Sequence, residues 1–280
     1  MSASRVTIVV VTYNSADVLG DCLASIELHA PDARAIVVDN ASTDGSAGVA
    51  LAAGSFVTLI RSEENEGFSK ANNRALRTIG TEFALILNPD ARLTSSTIPE
   101  LLAAADRLPA AAALGPKTVH EDGRPQVSFG PDLSLAAEYR QRKLVKGVKS
   151  GEARALEDLR AASAEEREVD WISGSCMLLR MSAARDAGFF DERYFLYEED
   201  ADLCLRLRRA GGKVVFIPQA VVIHELGTSM AKASKRARDA YDASHRLYYR
   251  LHRTSLERVI LTAVITITNV LRLDFRRADS

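Results

Sequence analysis

The sequence predicts an α/β fold with a mostly parallel central sheet, and two observations carry that prediction. Through the first hundred residues, short β-branched or apolar runs alternate with segments whose apolar residues recur at helical spacing. Each apolar run ends in polar turn residues. Because parallel strands need a crossover connection, which a helix normally provides, this alternation predicts parallel strands covered by helices.

The strands and helices of the first half of the chain are predicted from these two kinds of apolar pattern. Residues 7–11 form a β-branched run that is typical of a strand buried on both faces. Further strands are expected at 35–38, 56–60 and 83–87, and helices at 18–26 and 67–79.

The pattern changes after a helix expected at 98–108. Residues 132–168 are charged and helix-prone without a strong apolar stripe, which indicates an insertion or lid. We expect residues 1–229 to form one domain and 230–280 a C-terminal extension of two helices. The remaining strands are expected at 111–117, 169–180, 214–217 and 221–224.

Composition excludes several classes of protein. Lys and Arg total 36 and Asp and Glu 37, so a formal charge of -1 provides no global field for nucleic acid, and no nucleic-acid partner is expected. The cysteines number three at scattered spacings, which argues against a disulfide framework and favours the cytoplasm. No run of about 20 apolar residues is present, so a regular membrane span is not expected.

Polar residues follow three of the predicted strands. In parallel sheets, ligands bind beyond the carboxyl ends of the strands, so these residues mark the expected site. They are Thr12, Tyr13 and Asn14 after the first strand, Asp39 and Asn40 after the second, and Asn88 and Asp90 after the fourth.

The turn Asn88-Pro89-Asp90 has two interpretations. Alone it is an ordinary turn, because these residue types dominate turns. Asp39 at a neighbouring strand end favours a nucleotide site, with Asp90 holding a divalent cation. His224 is the last residue of another predicted strand. A lone histidine there is more often structural, although imidazole suits manganese beside carboxylates. The other four histidines show no partner pattern, and no role is assigned to them.

Four acids lie within residues 198–202, namely Glu198, Glu199, Asp200 and Asp202. Such a cluster is often a solvated helix start, because acids favour the first turn. Apolar residues at 195–197 and 203–205 instead predict that part of the cluster is buried. Burial raises the basicity of a carboxylate, which suits a general base.

Together these segments resemble family-two glycosyltransferases of the GT-A fold, particularly the bacterial rhamnosyltransferase-like branch. The GT-A fold implies a Rossmann-like nucleotide-binding half with a mostly parallel sheet and an acceptor-side half with a mixed sheet. Each motif is weak alone, but six occur in the expected order between about Val6 and Ser229. They are the segments 10–15, 37–45, 65–73, 87–91, 172–177 and 189–204.

The resemblance implies an inverting, metal-dependent transferase that uses Mn²⁺ or Mg²⁺. Asp90 matches the second acid of the family's Asp-X-Asp motif, whereas Asn88 replaces the first, which leaves one negative charge fewer for the cation. Asp200 matches the catalytic base, with Glu199 as second choice, and His224 matches a position that reaches the metal or diphosphate. The resemblance further implies nucleoside contacts by Thr12, Tyr13, Asp39 and Asn40, and positions near the diphosphate for Gly67 and Asn72. Asn14 and Asn88 are further candidates for nucleotide-sugar binding, and Trp171 and Gly174 would shape the acceptor side.

The same resemblance suggests dTDP-L-rhamnose as donor and a glycan or polyprenyl-diphosphate-linked acceptor in cell-wall or surface polysaccharide synthesis. A UDP-hexose donor and a catalytically inactive nucleotide-sugar-binding module are alternatives. A dehydrogenase is disfavoured because Gly-X-Gly-X-X-Gly is missing after the first strand. A pyrophosphorylase is disfavoured because its glycine-rich, basic first loop is missing.

The apolar stretch 259–271 is flanked by Arg258 and Arg272 and is too short to span a bilayer. It could lie in the membrane interface, pack on the core or form a homodimer contact. We expect a cytoplasmic protein with peripheral contact to the inner face of the cell membrane.

Overall fold

A computed structural model describes residues 3–225 and 235–278 of the chain. The strands, in chain order, are β1 Val6–Thr12, β2 Arg34–Asp39, β3 Val57–Arg61, β4 Phe83–Leu87, β5 Ala91–Leu93, β6 Ala111–Val119, β7 Phe129–Gly130, β8 Arg167–Glu168, β9 Trp171–Ile172, β10 Cys176–Arg180 and β11 Lys213–His224. The helices are α1 Ala16–His29, α2 Ser46–Ala52, α3 Phe68–Leu76, α4 Thr97–Arg107, α5 Leu135–Lys149, α6 Ala153–Ala162, α7 Met181–Asp186, α8 Glu199–Arg209, α9 Lys235–His252 and α10 Ser255–Ala278.

The main sheet has a parallel half and a mixed half. Its strand order is β3-β2-β1-β4-β10-β6-β11-β5, with β8 on β11. The first four strands of this order are parallel, β10 runs antiparallel to β4 and β6, and β6 and β11 are again parallel. The predicted α/β fold with a mostly parallel sheet and a mixed second half is confirmed.

Two apolar layers enclose the sheet. Ile8 and Val10 of β1 pack in a cluster with α1 and α4, whereas Val9 and Val11 pack in a second cluster with α3 and α8. Successive side chains of a strand point to opposite faces, so a strand covered on both faces must be apolar throughout. This explains the unbroken β-branched run of β1.

A third apolar cluster joins the C-terminal helices to the rest of the fold. Tyr248 and Tyr249 of α9 and Leu261 of α10 pack with Tyr194 and Leu205. The predicted boundary between residues 229 and 230 lies outside the described residues. The predicted insertion contains α5 and α6, which pack against each other. Among the described helices, none combines the length and apolarity needed to cross a bilayer.

Two strand predictions differ from the structure. Segments 214–217 and 221–224 are one strand, β11, with a register shift between Ile217 and Val221. Pro218 in this interval has no N–H for the ladder, so the strand slips in register without ending. The segment 169–180 is two strands, because a turn at Ser173-Gly174-Ser175 separates β9 from β10.

Candidate active site

The ends of β1 and β2 present two unsatisfied acceptors. Thr12 pairs with Asp39 in the parallel register, and both residues are buried. Asp39 Oδ1 accepts a hydrogen bond from the Ser42 N–H at 3.1 Å. Asp39 Oδ2 has no hydrogen-bond partner and lies 3.8 Å from the exposed Arg61 Nε, and Thr12 Oγ1 also lacks a partner. Since buried polar atoms are normally paired, these atoms are available to a ligand.

Tyr13 and Asn14 continue from β1 into a turn. The Tyr13 side chain is exposed. Asn14 adopts a positive φ of 52° and its Oδ1 accepts hydrogen bonds from the N–H and Oγ1 of Thr43 at 2.8 and 3.3 Å. Asn14 thereby ties the loop after β1 to the loop after β2.

Asn40 and Gly67 hold the loop that precedes α3. Asn40 Nδ2 donates to Asn65 Oδ1 and to the Gly67 carbonyl, and Asn40 Oδ1 accepts from the Glu66 N–H at 2.9 Å. Gly67 has φ 84°, and a Cβ built there would lie 2.4 Å from the Phe195 carbonyl oxygen. The neighbouring Phe68 N–H donates to that oxygen at 2.7 Å. The Asn40 amide is thus committed to this loop.

Helix α3 carries two buried asparagines with different partners. Asn72 Nδ2 donates to the Phe68 carbonyl at 2.9 Å, whereas its buried Oδ1 has no partner. Asn73, which the sequence did not single out, bonds both the N–H and the carbonyl of Phe190 at 3.1 and 2.8 Å. Asn73 therefore anchors the segment that leads to the acid cluster.

Asp90 and His224 meet between the ends of β4 and β11. His224 Nε2 lies 3.1 Å from Asp90 Oδ1, and the two side chains are 7% and 9% exposed. The antiparallel pairing of His224 with Ala91 brings them together. Asn88 Nδ2 lies 3.5 Å from the same His224 nitrogen.

The amide of Gln126 determines which His224 nitrogen carries hydrogen. Gln126 Nε2 donates to the backbone carbonyl of His224 and to His120 Nδ1. Since a carbonyl oxygen only accepts, this bond fixes the orientation of the amide. Gln126 Oε1 then accepts from His224 Nδ1 at 3.2 Å. Burial, followed by the charge of Arg124, lowers the pKa of His120, which agrees with a neutral, accepting ring.

With a hydrogen on Nδ1, His224 has two ways to face the Asp90 carboxylate at 3.1 Å: a protonated ring donates a hydrogen bond from Nε2, whereas a neutral ring directs the lone pair of Nε2 at the carboxylate. In the neutral form the two acceptors repel each other unless positive charge lies between or beside them. Carboxylate oxygen and imidazole nitrogen are both ligands of Mn²⁺, so this pair fits a divalent cation. Within residues 3–225 and 235–278, no group of three or more His, Cys, Asp or Glu side chains is arranged to hold a metal ion. Asp90 and His224 therefore fit a cation that phosphate oxygens and water complete.

Asp200 and Glu199 begin α8, where the sequence predicted partial burial. Asp200 Oδ2 accepts from the Gly174 N–H at 2.9 Å and Oδ1 from the Ala201 N–H at 2.8 Å. Glu199 is buried and its Oε2 has no partner. Burial raises the pKa of Asp200, although these backbone hydrogen bonds oppose it. Burial and the nearby Asp200 raise the pKa of Glu199 well above its ordinary value.

The turn between β9 and β10 connects these parts. The Asn88 N–H donates to the Ser175 carbonyl at 2.9 Å, while Gly174, one residue earlier, bonds Asp200. A Cβ on Gly174 would lie 3.5 Å from Phe68 and 3.6 Å from Asp200. Trp171 Nε1 donates to the Pro131 carbonyl at 2.9 Å, which ties β9 to the start of the insertion.

Three of the four histidines to which the sequence analysis assigned no role have side-chain partners in the structure. His245 Nδ1 lies 2.8 Å from Glu198 Oε1, and His252 Nε2 lies 2.7 Å from Asp202 Oδ1. His120 contacts Gln126. The contacting residues are separated by 6, 47 and 50 positions in the sequence. The spacing of neighbouring residues therefore could not indicate the two contacts with the larger separations.

Comparison with known proteins shows the family to which the chain is similar. The profile described as Glycosyl transferase family 2 matches residues 7–186, and Glycosyl transferase family group 2 matches 156–272. An N-acetylglucosaminyl-diphospho-decaprenol L-rhamnosyltransferase of Mycobacterium tuberculosis is 33% identical over 85% of this chain and 79% of its own length.

Solved structures share the fold at low identity. A Pyrobaculum calidifontis mannosyltransferase in complex with GDP-Man and Mn²⁺ has a TM-score of 0.59 at 20% identity, and S. aureus TarS 1-349 in complex with UDP-GlcNAc has 0.58 at 19%. The matches cover 86% and 88% of this chain but only 61% and 65% of those chains. With its profile match across more than half of its length, the chain belongs to glycosyl transferase family 2, the GT-A glycosyltransferases.

Proposed function

We propose that the chain transfers L-rhamnose from dTDP-L-rhamnose, with inversion, to a hydroxyl of a polyprenyl-diphosphate-linked saccharide in cell-wall or surface polysaccharide synthesis. The observation that carries this proposal is the 33% identity, over 85% of the chain, to a decaprenol-linked N-acetylglucosamine L-rhamnosyltransferase. The buried, unpartnered acceptors at the ends of β1 and β2 support a nucleotide donor at that edge of the sheet.

The donor nucleoside contacts the ends of β1 and β2. Asp39 Oδ2 and Thr12 Oγ1 lack partners and would receive hydrogens from the base or ribose. The exposed Tyr13 ring offers a face for the base, while Asn14 and Asn40 support this contact by bracing the surrounding loops. Gly67, Asn72 and Asn88 would lie on the diphosphate side, where Asn72 Oδ1 is a further unpartnered acceptor.

Asp90 and His224 would hold Mn²⁺ or Mg²⁺. When bound, the cation supplies Lewis-acid neutralisation of the departing diphosphate. His224 Nε2 and the Asp90 carboxylate face each other at 3.1 Å, so a neutral His224 would present its lone pair to a cation beside Asp90, which supports this assignment. Asn88 adds no charge to the pair, so we expect the bound nucleotide diphosphate to contribute much of the cation's affinity.

Asp200 acts as the general base, with Glu199 as second candidate. The acceptor oxygen forms a bond to the anomeric carbon while the bond from that carbon to the diphosphate oxygen breaks. The hydroxyl proton moves to the Asp200 carboxylate, and the dTDP leaves with the bonding electron pair. Direct displacement of this kind inverts the anomeric configuration. Two backbone N–H bonds orient the Asp200 carboxylate, which supports its choice over Glu199, whose Oε2 has no partner.

The acceptor approaches beside Trp171 and Gly174, with α5 and α6 of the insertion as a lid. The chain works in the cytoplasm, at the inner face of the membrane where a polyprenyl-linked acceptor lies. Exposed apolar side chains along α10 support peripheral contact, namely Leu256, Val259, Ile260 and Val264. A homodimer through the C-terminal helices is the competing use of that face.

A panel of nucleotide sugars tests the donor assignment. Each sugar nucleotide is incubated with the chain and Mn²⁺, and slow hydrolysis is measured by release of the nucleoside diphosphate. We expect dTDP-L-rhamnose to be turned over at least about tenfold faster than UDP-hexoses, a difference of about 1.4 kcal/mol in the barrier. Faster turnover of a UDP-hexose would replace the donor assignment, and binding without any turnover would indicate an inactive module.

A further inference from the structure

One face of α9 is occupied by side chains that reach the acid cluster and the insertion. The side chains on this face recur at helical spacing. Each of them contacts a residue outside the helix, in addition to contacts within the group. They are Tyr241, Ser244, His245, Tyr248, Tyr249 and His252.

The segment under this face has an uncommon backbone conformation. Tyr197 and Glu198 both have positive φ, 73° and 67°, immediately before α8 begins. Non-glycine residues rarely adopt this conformation, and it persists when surrounding contacts hold it. Ser244 Oγ donates to the Leu196 carbonyl at 2.8 Å, and the rings of Tyr241 and Tyr197 meet at 5.7 Å. Helix α9 supplies these contacts.

His245 joins two carboxylates that belong to different elements. Its Nδ1 lies 2.8 Å from Glu198 Oε1, and its Nε2 lies 3.0 Å from Glu138 Oε2 in α5. The imidazole is 1% exposed, and the two carboxylates are 8% and 9% exposed. The Nδ1 contact is a hydrogen bond, whereas the Nε2 contact has the distance of an ion pair without the geometry of a hydrogen bond. Because a carboxylate lies on each side of the ring, its charged form is favoured, and the arrangement is that of an imidazolium shared between two glutamates.

The remaining neighbours of His245 are consistent with a cation. The Tyr241 ring stacks on it at 5.5 Å and the Tyr249 ring lies 5.1 Å away, both from α9 itself. The Tyr249 hydroxyl donates to Glu138 Oε1 at 2.5 Å. Arg142 of α5 pairs with Glu138 at 3.3 Å and lies 57% exposed. The charged groups that face the ring directly are therefore the two carboxylates.

We propose that His245 is a positioning residue for Asp200: its imidazolium joins Glu198 to Glu138 and so fixes the left-handed turn from which the Asp200 helix starts. This inference rests on the proposed function, because it takes Asp200 as the base. Asp200 lies two residues after Glu198 and must keep its 2.9 Å bond to Gly174 for its carboxylate to stay oriented. Release of Glu198 would free the start of α8 and loosen that bond.

The charge state of His245 gives the proposal a pH signature. Burial lowers the pKa of His245, but the hydrogen bonds and charges of Glu138 and Glu198 more than offset this and raise it from 6.5 to about 9. Because the folded-state pKa is raised, the stabilisation is fully present below pH 6.5 and is lost as the pH rises through about 9. The contacts of His245 with Glu198 and Glu138, which together form a clamp, are therefore intact at neutral pH and are lost in alkali.

The first test measures the pKa of His245 in the clamp and does not depend on enzyme activity. The imidazole of His245 is titrated by NMR in the full chain, with His245→Asn identifying its signal. We expect a midpoint near 9, and a lower midpoint in Glu138→Gln. A midpoint near 6.5 in the wild type would overturn the proposal.

The second test separates positioning from folding by comparing His245→Asn with His252→Asn. Both remove an imidazole–carboxylate contact between α9 and the 198–202 segment. His245→Asn is expected to lower kcat roughly tenfold, part of the 10²–10⁴ that a general base supplies. Donor KM should stay within about twofold, because the base acts on the acceptor proton in the transition state. The wild type's loss of kcat through about pH 9 should disappear in this variant.

His252→Asn is the matched control. It is expected to lower the Tm while keeping that alkaline loss of kcat. Equal kcat and equal pH profiles for His245→Asn and the wild type would overturn the proposal. Absence of turnover in the wild type would instead overturn the proposed function. Hydrogen exchange of residues 195–202 would still test the clamp in that case. Faster exchange in His245→Asn than in His252→Asn would support the clamp, and equal exchange would overturn it.

Discussion

At the scale of single residues, the neighbours Glu199 and Asp200 differ in what their carboxylates contact. Asp200 accepts two backbone N–H bonds, which favour its charged form. Glu199 Oε2 is buried without a donor, so its charged form is disfavoured. Of the two, Asp200 has the carboxylate whose backbone hydrogen bonds oppose the effect of burial on its pKa and hold it in one orientation.

Glu199→Gln is therefore expected to stabilise the protein at neutral pH. The folded-state pKa of Glu199 is raised above 4.5, so the folded state holds a proton that the unfolded state releases, and stability is lost as the pH rises above 4.5. The variant should gain a few degrees in Tm at pH 7.5, where about 1 kcal/mol corresponds to 2–4 °C. The gain should vanish near pH 4, and transfer activity should remain. A Tm difference that is the same at both pH values would contradict this explanation.

Gln126 is expected to control the tautomer of His224. In Gln126→Leu the bond from His224 Nδ1 is lost, so the hydrogen is free to move to Nε2. Nitrogen NMR should report Nδ1–H in the wild type and a mixture in the variant. Mn²⁺ affinity in the presence of nucleoside diphosphate should fall about 10- to 100-fold, as for other lost supports of metal-ligating histidines. Nε2–H in the wild type would contradict the assignment.

At the scale of elements, the loop before α3 depends on Gly67. In Gly67→Ala the new Cβ would meet the Phe195 carbonyl at 2.4 Å in a backbone with φ 84°. We expect a loss of at least about 2 kcal/mol in the free energy of unfolding, from strain and overpacking together. Donor KM should rise, because the loop borders the proposed diphosphate side.

Gly48→Ala is the matched control for this substitution. Gly48 lies in α2, and a Cβ there meets nothing within 4 Å. Alanine in a helix is favoured over glycine by about 0.5–1 kcal/mol, so this variant should be slightly more stable. Urea denaturation of both variants checks the pair, and equal free energies of unfolding would show that Gly67 is unconstrained.

The sequence predicted those elements whose signal is local. The strand at 83–87 was predicted with the bounds of β4, and its polar turn follows directly. The antiparallel direction of β10 between β4 and β6 was not predicted, because strand direction is decided by contacts that a local pattern does not encode. The pairings of His245 with Glu198 and of Gln126 with His224 were missed for the same reason. The first pair is 47 positions apart in the sequence and the second pair 98 positions apart.

At the scale of the whole molecule, exposed side chains suggest how the chain meets its acceptor. Leu256 is 70% exposed and Val259 66% exposed on α10. The basic residues of α5 are also exposed and would attract an anionic surface. They are Arg140, Arg142, Lys143, Lys146 and Lys149.

We therefore expect the chain to sediment with anionic vesicles. Leu256→Glu with Val259→Glu should reduce the bound fraction several-fold, because two charges oppose burial of the apolar face. Leu51→Glu is the control, since Leu51 is also 70% exposed but lies on α2. Vesicle binding that is absent or unchanged, together with a dimer that the double substitution dissociates, would assign this face to a homodimer.

The most direct measurement follows transfer of sugar from dTDP-L-rhamnose to a synthetic polyprenyl-diphosphate N-acetylglucosamine in the presence of Mn²⁺. The wild type should form one rhamnosylated product whose anomeric configuration is opposite to that of the donor. Asp200→Asn should lose at least about 10²-fold in kcat, the lower range for a general base, while it binds dTDP as the wild type does. Full activity of Asp200→Asn, or a product that retains the donor's configuration, would contradict direct displacement with Asp200 as the base.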